Sequence, residues 1–121
     1  MARILIVDDE PQFRRGLRIA LAARGHDVRE AASGADALTM LRADTPQLIL
    51  VDWQMPGLDG LQTCRAIRRW LNIPIIMVTS RNQSGREQAL AAGADDYVTK
   101  PFELDFLMAR VECALSGAAH G

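Results

Sequence analysis

Lysine is nearly missing from this sequence. Of its 14 cationic side chains, 13 are arginine and one, Lys100, is lysine. Cysteine is scarce as well. Cys64 and Cys113 stand apart from each other and from His26 and His120, so no metal-ligand spacing and no redox pair is present. They read as two small buried or half-buried thiols in a reducing cytosol. Long apolar runs are lacking: the longest are a few residues, against the ~20 that a membrane span needs. The stretch Ile4 to Val7 is too short for a signal peptide. The expectation is a cytoplasmic chain with no membrane partner. Neither sign of charge dominates, at a net charge of −1, and no basic stripe points to nucleic acid. A glycine-rich phosphate loop is also missing after the first apolar run, where Asp8-Asp9-Glu10-Pro11 stands, which argues against nucleotide binding.

What is present fits one domain. At 121 residues the chain is long enough to bury a core without disulfide or metal staples. The expected domain covers 1–116, with 117–121 as a tail or the start of a linker. Ile4–Val7, Leu48–Val51 and Ile75–Val78 are continuous apolar runs, the mark of strands buried on both faces. Val28–Ala31 and Tyr97–Thr99 are weaker strand signals. Helical spacing fills the gaps. Phe13, Leu17, Ala20 and Leu21 share a face that stops near Gly25, and Ser33 caps a helix carrying Ala37, Leu38 and Leu41. Leu61, Cys64, Ile67 and Leu71 mark a third helix, and Gly85 to Ala92 a weak fourth. Leu104, Leu107, Met108, Val111 and Leu115 form one stripe on a fifth. Five strands alternating with five helices predict an α/β domain around a parallel sheet covered on both faces.

In an open parallel sheet, ligands sit at the carboxyl ends of the strands. Asp8, Asp9 and Glu10 follow the first strand, Asp52 the third, Thr79-Ser80 the fourth and Lys100-Pro101 the fifth. Each has a plain explanation on its own: acids at a helix N-terminus, a turn aspartate, a cap hydroxyl, a surface lysine. Together they converge on one edge. Neighbouring carboxylates repel unless a cation joins them, and an all-oxygen set suits Mg²⁺. A carboxylate can act as the nucleophile in forming an aspartyl phosphate. Phosphoryl transfer needs an in-line approach and positive charge around the transferred oxygens. A compact ammonium kept among 13 guanidinium groups fits that need.

These residues, with Met55-Pro56-Gly57-Leu58-Asp59-Gly60, Gly93-Ala94-Asp95-Asp96-Tyr97 and Lys100-Pro101-Phe102, resemble the response-regulator receiver domain of two-component systems. The likeness covers nearly the whole chain and is greatest to the OmpR/PhoB-type class, whose output is a winged-helix DNA-binding domain. It implies a doubly wound five-stranded parallel sheet, order 2-1-3-4-5, flanked by five helices, the strand order already known for such domains. It implies Asp52 as phosphoacceptor from a histidine kinase. Asp9 and Asp52 are implied as direct Mg²⁺ ligands, Asp8 mostly through water, and the backbone carbonyl of Gln54 as a further ligand. Lys100 is to pair with the phosphoryl group, before a cis bond to Pro101, while Thr79 and Tyr97 act as the switch. Arg86, Asp96 and Arg110 are implied at the face of a phosphorylation-dependent homodimer. Phe106 departs from the acidic residue usual there, and bottom-up it reads as a contact residue off the buried stripe. The resemblance also implies that Gln54 and Arg81 occupy positions that tune attack of water on the acyl phosphate. Trp53 is either a gate to the site or a packing residue.

The domain is a phosphoacceptor rather than an enzyme on this reading, and DNA is reached only through an output domain absent from this chain. A stand-alone receiver or a phosphorelay intermediate would carry the same residues. A Mg²⁺-dependent aspartyl phosphatase is the alternative of another kind. It needs a second aspartate two positions after the first, where this sequence has Gln54.

Overall fold

The structure, a computed structural model, describes residues 1–117. Five strands, β1 (Arg3–Val7), β2 (Asp27–Ala31), β3 (Leu48–Val51), β4 (Ile75–Thr79) and β5 (Asp96–Thr99), alternate with five helices. These are α1 (Pro11–Ala22), α2 (Gly34–Ala43), α3 (Gly60–Arg68), α4 (Arg86–Ala91) and α5 (Leu104–Ser116). All strand pairs are parallel and the order is β2-β1-β3-β4-β5, as expected.

The apolar runs divide by alternate residues between two cores. Leu5, Val7, Ile49, Val51, Ile75 and Met77 face α2, α3 and α4, meeting Ala37, Leu41, Cys64, Ile67 and Ala89. Ile4, Ile6, Leu48, Leu50, Ile76 and Val78 face α1 and α5, meeting Leu17, Leu21, Leu107 and Val111. Burying a side chain of this size is worth roughly 1.5–3 kcal/mol over leaving it exposed, which favours an unbroken run over alternation in a sheet covered on both faces.

Helix starts follow their capping chemistry. The Ser33 side chain accepts from Asp36 N–H at 3.0 Å. Asp59 and Gln62 form a reciprocal capping box that opens α3. Pro11 stands in the first turn of α1, where its missing N–H costs nothing. Three sequence expectations shift. α3 ends at Arg68, so Leu71 packs on the core from the following loop. α4 is only six residues long and is entered through a 3-10 turn, Gln83–Gly85. The stripe on α5 begins at Leu107, and Leu104 is 45 % exposed. Side chains lean toward a helix N-terminus, so a leucine in the first position reaches past the helix end instead of onto the sheet. α5 closes on Gly117 in the left-handed conformation at φ 77°. The rest of the tail expected over 117–121 lies outside the described residues.

At the amino ends of the strands, Arg68 ties loops together. Its guanidinium donates to the carbonyls of Gly93 (2.9 Å) and Ile73 (2.7 Å) and to the Asp95 carboxylate (2.8 Å). Asp95 also accepts from Ile75 N–H at 2.9 Å, so the loops before β4 and β5 share one fastening. Among the described residues no helix is long and apolar enough to cross a membrane.

Candidate functional site

Strand register assembles the site at the opposite, carboxyl edge. Val7 is paired with Val51, so the next residues, Asp8 and Asp52, emerge side by side. Asp52 N–H donates to the Val7 carbonyl at 2.9 Å. Thr79 is paired with Thr99, and Lys100 N–H donates to the Thr79 carbonyl at 2.7 Å, which brings the sole lysine to the same edge. The Lys100-Pro101 bond is cis.

The Lys100 ammonium lies 3.1 Å from Asp8 Oδ2, 3.4 Å from Asp52 Oδ2 and 3.8 Å from Glu10 Oε1. Asp8 Oδ1 accepts from Glu10 N–H at 2.9 Å, and the Asp8 carbonyl accepts from Arg14 at 2.7 Å. Asp8 and Asp52 are both buried. Burial pushes the Asp8 carboxyl above its ordinary range, and the Asp52 charge pushes the same way, against the lowering pull of the Glu10 N–H and Lys100. Asp52 Oδ1 is buried and has no hydrogen-bond partner among the described residues. A buried acceptor without a donor is costly, and a cation among the carboxylates would satisfy it.

Asp8, Glu10 and Asp52 are the carboxylates whose oxygens lie close enough together to share one ion. Asp9, half-buried beside them, is not in that group, and the exposed Glu10, to which the sequence reading gave no ligand role, is. Strand spacing places both residues at the edge, but which carboxylate turns inward depends on side-chain rotamers that spacing does not encode. The oxygen-only donor set and the orphaned Asp52 oxygen fit Mg²⁺. Gln54 lies exposed in the loop after β3, beside a groove of about 430 Å³ formed with Trp53, Met55, Pro56, Asp59 and Arg81.

Thr79 and Tyr97, the expected switch residues, lie close by. Thr79 is fully buried, and its hydroxyl accepts from Arg81 N–H at 3.3 Å. Tyr97 is inward, with its hydroxyl donating to the Asn82 carbonyl at 3.0 Å and its ring edge-on to Trp53 at 6.4 Å. Burial raises the Tyr97 phenol pKa. Trp53 is buried, and the Arg81 guanidinium lies 4.0 Å over its ring. Trp53 is thus a packing residue that also roofs the groove.

Arg86, Asp96, Phe106 and Arg110 line a second groove, of about 400 Å³, between α4, β5 and α5. Asp96 is paired within the chain to both Arg110 and Arg86, the latter at 3.7 Å. Phe106 is 52 % exposed. Cys64 is fully buried, and burial pushes its thiol up to about 12, so it is inert.

An acidic pocket facing one ammonium at the carboxyl edge of a 2-1-3-4-5 sheet defines a class of signalling domain. The response regulator receiver domain family matches residues 4–112, and the chain belongs to it. Within the family it is most like the OmpR/PhoB-type transcriptional regulators. It is 42 % identical over 116 residues to the transcriptional regulatory protein KdpE of Mycobacterium tuberculosis, covering 95 % of this chain and 51 % of that protein. It is 44 % identical over 115 residues to the response regulator MprA of Mycobacterium avium, covering 93 % and 50 %. The chain therefore spans about half the length of these curated relatives. The response regulator TrrA of Thermotoga maritima, solved in complex with Mg²⁺ and BeF, superposes with a TM-score of 0.87 at 35 % identity, covering 95 % of this chain and all of that one.

Proposed function

We propose that this receiver takes a phosphoryl group from a histidine kinase onto Asp52, with Mg²⁺ bound, and thereby resets the face formed by α4, β5 and α5. The observation that carries the reading is the buried Asp52 carboxylate, whose Oδ2 meets Lys100 at 3.4 Å while its Oδ1 has no partner among the described residues. A carboxylate oxygen of Asp52 bonds to phosphorus while the donor's P–N or P–O bond breaks, and the electron pair leaves with the donor. Lys100 neutralises charge on the transferred oxygens, and the Thr79 hydroxyl donates to one of them. Asp8, Asp52, Asp9 or Glu10 and the Gln54 carbonyl would hold Mg²⁺, which would supply further positive charge to the transferred oxygens.

The change at Thr79 reaches Tyr97 and α4 through the loop that carries Arg81 and Asn82, and so biases a two-state face. That face dimerises through Arg86, Asp96, Phe106 and Arg110 when Asp52 is phosphorylated. The cytoplasmic output is transcription, through a DNA-binding domain outside this chain. Beyond accepting and losing its own phosphoryl group, the domain turns over no substrate.

The test is intact mass after incubation with Mg²⁺ and acetyl phosphate. The parent chain gains one phosphoryl group and Asp52→Asn gains none. An equal adduct on both would place the acceptor elsewhere, and steady hydrolysis of a phosphomonoester would favour an aspartyl phosphatase.

A further inference from the structure

We propose that Phe13, in the first turn of α1, is a positioning residue for phosphoryl transfer: the face of its ring holds the Lys100 ammonium over the Asp52 carboxylate. The inference rests on Asp52 being the acceptor, and it adds a residue that no acid-and-lysine pattern contains. The Lys100 nitrogen lies 3.8 Å from the centroid of the Phe13 ring. Its two hydrogen bonds, to Asp8 and Asp52, leave one N–H of the ammonium without a close oxygen, since Glu10 stays at 3.8 Å. The Lys100 side chain is 13 % exposed, so water reaches it poorly. The ring covers the quadrant that the carboxylates leave open.

Phe13 is itself held. Phe102 meets it edge-on, with centroids 6.2 Å apart and planes at 85°. Phe102 follows Lys100 by two residues, so the loop after β5 grips the α1 ring with a cation on its face and an aromatic at its side. Lysine is a point charge on a flexible four-carbon stem, and its direction must be set by what surrounds it. A desolvated ammonium on an aromatic face is attracted by the ring quadrupole, and a saturated side chain of similar volume offers no such field. During transfer a carboxylate oxygen of Asp52 bonds to phosphorus as the donor's P–O bond breaks and acetate leaves with the pair. The ammonium then has to be on the Asp52 side of its range, where the ring keeps it.

The experiment measures the phosphorylation rate with acetyl phosphate at saturating Mg²⁺. It compares the parent chain, Phe13→Leu, and a chain with 3,4,5-trifluorophenylalanine at position 13. The fluorinated ring keeps shape and packing but cancels the negative face. Both altered chains are expected to react about three- to tenfold more slowly per folded molecule, with the fluorinated one retaining the parent's melting temperature. A fluorinated chain that reacts at the parent rate overturns the proposal, as does a loss confined to Phe13→Leu, which would show packing alone. If the parent chain takes up no phosphoryl group, the acceptor assignment fails and this inference falls with it.

Discussion

At the scale of single residues, charge is managed by pairing wherever water is excluded. Glu30 on β2 receives Arg14 at 2.7 Å and Arg18 at 2.6 Å. Partial burial alone would raise its carboxyl, but the two guanidinium hydrogen bonds more than offset this and hold it below the ordinary range. A carboxyl lowered in the folded state adds stability above its unfolded value, and that stability is lost as the pH falls through the folded one. Glu30→Gln should therefore cost roughly 1 kcal/mol at pH 7, the side chain being partly screened by water, and less at pH 3. Urea midpoints at both pH values decide it, and an equal gap at each would sink the idea. The sequence displayed Asp8, Asp52 and Thr79 because each stands directly after an apolar run, and Lys100 because it is the sole lysine. It did not display the contact between Phe13 and Lys100. That contact needs α1 and the loop after β5 to meet in space, and helical spacing marked Phe13 only as a core position.

At the scale of elements, legibility tracked how strongly one signal dominated. β1, β3 and β4 announced themselves because strands covered on both faces carry nearly continuous apolar runs. α4 did not, because its six residues carry little apolar periodicity and its placement depends on tertiary contact. Gly85, just before it, is a tight point. A Cβ there would lie 2.7 Å from Trp53 Cζ3 and 2.7 Å from the Tyr97 hydroxyl. Both neighbours are buried aromatic side chains with little room to yield. Gly85→Ala is expected to destabilise the domain by about 1–3 kcal/mol, in the range of overpacked cores, and to displace Tyr97 from its inward position. Thermal denaturation and the near-ultraviolet circular dichroism of the aromatics report the two effects. An unchanged melting point with an unchanged aromatic spectrum would show that α4 tolerates the shift freely.

At the scale of the whole molecule, Phe106 on α5 is one of a few large apolar side chains left exposed, with Ile19 and Trp70 among the others. Phe106 lies in the groove with Arg86, Asp96 and Arg110, and the Arg110 guanidinium sits 6.0 Å from its ring. Aromatic and arginine side chains concentrate the energy of protein interfaces. Phe106→Glu should leave stability within about 0.5 kcal/mol of the parent, as most surface changes do, and weaken self-association of the phosphorylated chain by roughly tenfold. Sedimentation of the phosphorylated parent and variant measures this, and superimposable profiles would remove Phe106 from the proposed dimer face.

The two ends of the sheet also differ in kind. Arg68 binds one end as stitching binds the spine of a book, with a single planar cation through the backbone of two loops. At the other end Asp52 Oδ1 is left without a partner among the described residues. The stitching holds β4 and β5 at one margin, so the proposed chemistry at Asp52 would act on the margin that Arg68 does not reach.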